Sequence, residues 1–300
     1  MNHRKGLPPS GRRLPTFLGI GPGKSGTTWL YHILRSHPEV FVPTTKETLF
    51  FSEYYHWGAE WYEGFFRGAD EYVASGEVSN TYIFSPEAAE RIRAYNPDIR
   101  LISCLRNPVD RAFSHYLWLL RSGETRGSFE EALEARPDLA TRGLYAGHLQ
   151  PYWDRFPTEQ MLILLFDDLQ LDPEGTACRI FRFLGVDPHF FPTSSREPAL
   201  AAMRPRNRML ARAAKRSAVL LRDMGFPGLL TSIKESSLVR LLYEPITKRG
   251  YPVMDPATRR RLGDFFSDDV AALSGRLGED LSRRWFDQPL QTAPLREDAT

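Results

Sequence analysis

The sequence predicts an α/β protein, one domain built on a central parallel β-sheet flanked by helices. Two patterns lead to that class. Short apolar runs of strand length alternate with helical periodicities over most of the first 185 residues, an order that favours a parallel sheet covered by helices. Several of the helical segments also have legible ends. The size agrees, because 300 residues with 42% hydrophobic and 25% charged content form an ordinary globular chain. Such a chain buries about three-quarters of its unfolded surface without disulfide or metal staples.

Residues 1–14 read as a flexible basic leader, where Pro8, Pro9 and Gly11 break any periodicity. Thr16–Ile20 is a buried-strand candidate running through a glycine-rich turn into a helix over Gly26–Arg35, with Trp29, Leu30, Ile33 and Leu34 on one side. Further strands are expected at Val40–Val42, Tyr72–Val78, Ile99–Leu105 and Met161–Phe166. Helices are expected at Pro86–Tyr95, Pro108–Arg121, Phe129–Ala135, Tyr145–Arg155 and Pro173–Leu184. Asn107 before Pro108 and Asp172 before Pro173 place a capping side chain ahead of a proline at the first helical position. Gly123 and Gly185 suit the C-terminal stops. Beyond Asp187 the pattern is less regular. Met203–Arg222 carries seven basic residues and no acid, and Asp255-Pro256 opens a last amphipathic helix with Leu262, Phe265, Phe266, Val270 and Leu273. The domain is expected to span 15–287, with a tail at 288–300.

Lys+Arg 39 against Asp+Glu 37 leaves a net charge of +2, too balanced for a nucleic-acid partner. Only six of those basic residues are lysine, so each lysine merits attention. Cys104 and Cys178 are the two cysteines, with no CxxC and no His/Cys cluster at ligand spacing; neither a disulfide framework nor a metal site is expected. The basic start leads into no apolar stretch of signal-peptide length, and no run of about 18 apolar residues occurs. The expectation is a soluble, cytoplasmic protein.

The chemistry begins at Gly21-Pro22-Gly23-Lys24-Ser25-Gly26-Thr27-Thr28-Trp29. Strand, glycine turn and helix start together aim free backbone N–H groups and the positive helix end at an anion, normally a phosphate. Lys24 adds a point charge, and Ser25, Thr27 and Thr28 add donors. The fold is therefore P-loop-like, yet the spacing departs from a Walker A loop, which needs glycine where Leu18 stands. The run Lys24-Ser25-Gly26-Thr27-Thr28-Trp29 resembles, residue for residue, the 5′-phosphosulfate loop of the cytosolic sulfotransferases. That resemblance implies 3′-phosphoadenosine 5′-phosphosulfate (PAPS) as donor, adenosine 3′,5′-bisphosphate (PAP) as product, and Gly23 to Thr28 as donor-binding residues. It also implies Trp29 packing on the adenine, with core packing as the other reading.

A second element is similar to the family's 3′-phosphate site. Arg106 ends the Ile99–Leu105 strand, and Ser114 lies eight residues on in the next helix, within LRNPVDRAFSHY. A guanidinium and a hydroxyl at that spacing can converge on one anion. A third, Lys248-Arg249-Gly250-Tyr251, partly resembles the basic loop that closes over the nucleotide; a solvated loop is the competing reading.

Lys46-Glu47-Thr48-Leu49-Phe50-Phe51 looks like the KExxFF run of the heparan sulfate N- and 3-O-sulfotransferases, which implies Glu47 as catalytic base, with His115 as the other candidate. Gly143–Leu149 with Trp153 resembles the same group and is read as packing and cleft shape. Val78 stands where those enzymes carry a lysine associated with their acidic polysaccharide, and their cysteine pair and membrane anchor find no counterpart here. The overall resemblance is to soluble bacterial sulfotransferases.

The resemblance implies transfer of a sulfuryl group to a hydroxyl or amine of a carbohydrate, glycolipid or small metabolite, with Lys24 neutralising the leaving oxygen and Glu47 taking the acceptor proton. Two alternatives stand beside it. One is a nucleotide kinase such as an adenylylsulfate kinase. The other is a non-catalytic module that docks an anionic membrane through Met203–Arg222, a segment that also reads as a solvated arginine-rich helix.

Overall fold

The computed structural model describes residues 14–192, 203–205, 243–245 and 252–287. Strand β1 (Phe17–Gly21) is buried along its whole length, as the apolar run FLGIG requires of a strand covered on both faces. It lies between β3 (Ala74–Val78) and β4 (Arg100–Leu105), with β2 (Val40–Phe41) beyond β3 and β5 (Met161–Leu165) beyond β4. All four pairings are parallel. The chain leaves β1 toward one edge, returns to β3, then crosses to β4 on the other side. The carboxyl end of β1 is therefore a point where strand order reverses, the place where open α/β sheets receive ligands.

Side-chain alternation assigns the two faces. Leu18, Ile20, Leu101 and Leu105 enter one core with Phe50, Phe51, Tyr82, Tyr116, Tyr152 and Phe266. Phe17, Val78, Ile102 and Cys104 enter the other with Leu30, Ile33, Leu34, Ile180 and Phe181.

Helix α1 (Thr27–Ser36) starts one residue later than expected and ends one later. A short α2 (Ala59–Glu63) follows a π-helical turn at Phe50–Tyr54. Helix α3 (Pro86–Tyr95) is capped by Ser85, whose side chain accepts from Ala88 N. Helix α4 (Pro108–Ser122) begins under the Asn107 cap, which accepts from Val109 and Asp110 N–H, and stops at Gly123 in the left-handed conformation. Both ends match the sequence expectation. Then come α5 (Phe129–Ala135), α6 (Asp138–Thr141) and α7 (Tyr145–Trp153). Strand β5 passes directly into α8 (Phe166–Leu171), so Phe166 starts a helix rather than ending a strand. Helix α9 (Pro173–Leu184) is capped by Asp172 and closed by Gly185, again as expected.

In the irregular stretch after Asp187 the described backbone forms a small antiparallel pair, β6 (Met203–Pro205) with β7 (Tyr243–Pro245). No periodicity signalled it. The remainder of the Met203–Arg222 segment lies outside the described residues. Helices α10 (Pro256–Leu277) and α11 (Leu281–Phe286) close the domain. Trp285 anchors them: its Nε1 donates to Asp167 at 2.9 Å, and Asn107 Nδ2 donates to its carbonyl at 2.7 Å. The cap of α4 is thereby tied to the C-terminal helices. Asp269 of α10 accepts from Ala146 N at 3.0 Å and Gly147 N at 3.1 Å, and a Cβ on Gly143 would lie 2.7 Å from Phe266. The Gly143–Leu149 stretch is thus packing against α10.

Gly76 records how closely the central strands approach. A Cβ there would stand 2.2 Å from the Phe17 carbonyl oxygen and 2.6 Å from its ring, and backbone atoms cannot move aside cheaply. Gly76→Ala is expected to lower unfolding free energy by about 1–3 kcal/mol, read as a reduced urea midpoint at unchanged m-value.

Candidate active site

The turn leaving β1 is held in left-handed backbone conformations. Gly21 and Gly26 have φ of 103° and 92°, and Lys24, a non-glycine residue, has φ of 73°. A side chain at Gly21 would strike the Asn80 carbonyl oxygen at 2.4 Å. Gly26 caps α1 without a side-chain hydrogen bond, and no acid occupies the helix's first turn. The first amides of α1 and the positive end of its dipole are thus available to an anion. Ser25 is fully buried, and its Oγ makes no hydrogen bond of standard geometry, although the Tyr145 hydroxyl lies near. An orphaned buried hydroxyl inside such a turn fits a phosphate or sulfate oxygen as its missing partner.

The charges around the turn point the same way. Burial, with help from Arg121, Arg106 and Lys46, pushes the Lys24 ammonium down to about 8, and Glu47 alone opposes them among its main influences. Like charges crowd a desolvated site here, and an arriving polyanion relieves both penalties. Arg106 is held in place rather than neutralised. Its Nη1 donates to the Lys24 carbonyl at 3.4 Å, its guanidinium lies 4.6 Å from the Phe166 ring centroid, and the Tyr145 hydroxyl donates to its carbonyl at 2.8 Å. The Lys24 ammonium sits 5.9 Å from the centroid of the Trp118 ring. Ser114, Trp118 and Arg121 recur at four- and three-residue intervals, so they share one stripe of α4. Trp118 of that stripe lies beside Lys24, Arg121 acts on the Lys24 charge, and Ser114 sits one turn earlier in the helix.

Glu47 stands across the turn from Lys24. Its φ of 64° and that of Leu49, 56°, are left-handed and costly for residues with side chains. The surroundings impose them. Asn80 Nδ2 donates to Glu47 Oε1, and Lys46 Nζ lies 3.8 Å from the same oxygen while donating to Thr28 Oγ1 at 3.0 Å. Lys46 therefore links the first turn of α1 to Glu47. Beneath it, the buried Glu77 carboxylate accepts from Thr48 N at 3.0 Å, Thr48 Oγ1 at 2.6 Å, Ser79 Oγ at 2.9 Å and the Tyr82 hydroxyl at 2.7 Å. Burial pushes the Glu77 carboxyl up, against the pull of those hydrogen bonds. Phe50 and Phe51, both buried, stack into the aromatic cluster around Tyr62. The turn that carries Glu47 is bolted to β3 on one side and to the core on the other.

The structure thus brings Gly23, Lys24, Ser25, Gly26, Thr27, Thr28, Arg106 and Glu47 to one end of the sheet. Trp29 is half-buried and packs beside the core of α1. His115 is buried in α4; desolvation first, then Arg111 and Arg142, pushes its imidazole down to about 4, and its Nδ1 has no partner among the described residues. Lys248, Arg249, Gly250 and Tyr251 lie outside the described residues. Sequence reasoning assigned no role to Lys46, Arg121 or Asn80. Lys46 was one of six lysines and adjoined Glu47, a signal that could have found it; Arg121 required the helix stripe. Among the described residues, no group of three His, Cys, Asp or Glu could hold a metal, and no helix is long and apolar enough to cross a membrane.

With that geometry established, likeness to known proteins becomes decisive. Residues 15–200 match the sulfotransferase domain family model. The chain belongs to the sulfotransferase family. It is 32% identical over 304 residues to mouse bifunctional heparan sulfate N-deacetylase/N-sulfotransferase 4, covering 93% of this chain and 32% of that protein. It is 36% identical over 204 residues to mouse heparan sulfate glucosamine 3-O-sulfotransferase 6, covering 62% of this chain and 59% of the relative. The chain therefore spans about a third of the bifunctional relatives' length. A crystal structure of a sulfotransferase from Alicyclobacillus acidocaldarius superposes with a TM-score of 0.67 at 27% identity, over 91% of this chain and 99% of that one. A mouse sulfotransferase crystallised with PAP shares the fold at a TM-score of 0.50 and 14% identity, over 92% and 88% of the two chains. Family membership decides against the nucleotide-kinase reading.

Lys24 supplies a stability test. Its pKa is lowered on folding, so its charged form costs stability; that cost is fully present below about pH 8 and disappears as pH rises toward 10.5, the ordinary value for a lysine. Lys24→Met is expected to unfold at higher denaturant than the parent at pH 7, and the difference should shrink between pH 8 and 10.5.

Proposed function

We propose that the chain transfers the sulfuryl group of PAPS to a hydroxyl or amine of a carbohydrate-type acceptor. One observation carries the reading: a desolvated lysine inside a cluster of cations, on a phosphate-type loop, with a conformationally constrained carboxylate held beside it. Family membership supports the donor, and the relatives' names supply the acceptor class.

In this reading the loop from Gly23 to Thr28 holds the 5′-phosphosulfate through backbone N–H groups and the hydroxyls of Ser25, Thr27 and Thr28. Arg106 and Ser114 take the 3′-phosphate. The acceptor oxygen or nitrogen attacks sulfur in line, the bond from sulfur to the bridging oxygen breaks, and its electron pair stays with PAP. Lys24, with the α1 dipole, stabilises the charge growing on that bridging oxygen, the electrostatic role that dominates transfers of this type. Glu47 accepts the proton of the attacking group. The Gly23–Thr28 amides and the fixed Arg106 supply orientation, so the reactants meet at small entropic cost. Lys248, Arg249, Gly250 and Tyr251 are proposed to close over the nucleotide, on the motif resemblance alone. The likeness to the Alicyclobacillus enzyme supports a bacterial setting.

The test is incubation with sulfur-labelled PAPS against a panel of neutral glycans, glycolipids, phenols and heparan precursors, followed by identification of the labelled product. Lys24→Ala should abolish transfer in a folded chain; full activity in that variant would contradict the assignment. Glu47→Gln is expected to slow turnover by about 10²–10⁴-fold while PAP affinity, measured by calorimetry, stays near that of the parent. Arg106→Ala should do the reverse, chiefly weakening PAP.

A further inference from the structure

Asn80 follows β3 at the place where the donor loop and the Glu47 turn come closest. Its backbone carbonyl fills the space that a side chain at Gly21 would need, 2.4 Å from that Cβ position. Its Cβ and Nδ2 lie 3.5 Å and 3.7 Å from where a Cβ on Gly23 would stand. From this wedge, Nδ2 donates to Glu47 Oε1, and the Asn80 Oδ1 is buried with no hydrogen-bond partner among the described residues. An amide buried with an unsatisfied oxygen is not placed there for stability, since that orphan costs about 1–3 kcal/mol. What the side chain does accomplish is to present an N–H to one oxygen of the candidate base and to leave the other oxygen for a proton.

We propose that Asn80 is a positioning residue: it fixes the Glu47 carboxylate against the donor loop, so that base and donor hold a set distance. This rests on the sulfuryl-transfer reading above. The charged groups facing Glu47 are Lys46 from its own turn and Lys24 from the donor loop. Lys46 also serves Thr28, and Lys24 serves the donor. Asn80 is a neutral donor to that carboxylate, so removing it frees Glu47 without removing a cation from the donor site. A residue that only shaped the turn would act on the rate whether or not the Glu47 carboxylate is present.

The experiment compares turnover of labelled PAPS, with the acceptor found by the panel above, and PAP affinity in the full chain. Asn80→Ala is expected to slow turnover by about tenfold or more, as a misplaced base does, while calorimetry with PAP gives an affinity close to that of the parent. The same change should slow Glu47→Gln no further, because the group it positions is then gone. Asn80→Ser stands in if Asn80→Ala does not fold. Unchanged turnover in a folded variant overturns the proposal, as does a slowing that persists undiminished in Glu47→Gln or that a loss of PAP affinity explains. If the parent chain itself fails to bind PAP, the sulfuryl-transfer reading fails first, and a crystal structure of Asn80→Ala, with the Glu47 carboxylate displaced or left in place, still reports whether Asn80 positions Glu47.

Discussion

The structure turns on a positive charge kept where water is scarce. Lys24 occupies a left-handed backbone position in the β1–α1 turn, partly desolvated, with Arg106, Arg121 and Lys46 around it. Each of these features disfavours the empty site. Together they make sense as one end of an interaction whose other end is a ligand with several negative charges. Sites built for function often carry such local cost, and here the rest of the fold supplies the means to hold it: a central strand buried on both faces, and a helix cap tied through Asn107 to Trp285.

The acceptor side is stabilised by a different device. Glu77, buried and saturated with hydroxyl and amide donors, fixes Thr48, and so fixes the residue just before it, Glu47. The strained φ angles at Glu47 and Leu49 are sustained by that network and by the aromatic packing of Phe50 and Phe51. Lys46 and Asn80 then connect this turn to the donor loop. Donor loop and base are parts of one hydrogen-bonded assembly, which is what a transfer reaction needs if its two partners are to be held at a constant separation.

The sheet, the capped helices and the donor loop were legible because their signals are local. FLGIG followed by a glycine–lysine turn, and Asn107-Pro108 with Gly123, name strand, turn and helix ends by chemistry acting over a few residues. Strand order was not legible: whether β3 or β2 flanks β1 depends on contacts far apart in sequence. The same reason hid the roles of Lys46, Asn80 and Arg121, which come from three different elements. The start of α8 at Phe166 was misjudged because an apolar strand running straight into a helix leaves no turn residue between them. The β6–β7 pair was missed because three-residue strands show no periodicity.

The most direct measurement is the number of protons taken up when PAP binds, from calorimetry in buffers of differing ionisation enthalpy. If Lys24 titrates near pH 8 in the free chain and a polyanion restores its charge, binding at pH 8.5 should draw a fraction of a proton from solution. Uptake should fade by pH 6.5 and vanish at both pH values in Lys24→Met. Binding with no uptake at pH 8.5, or uptake that survives Lys24→Met, would contradict the account.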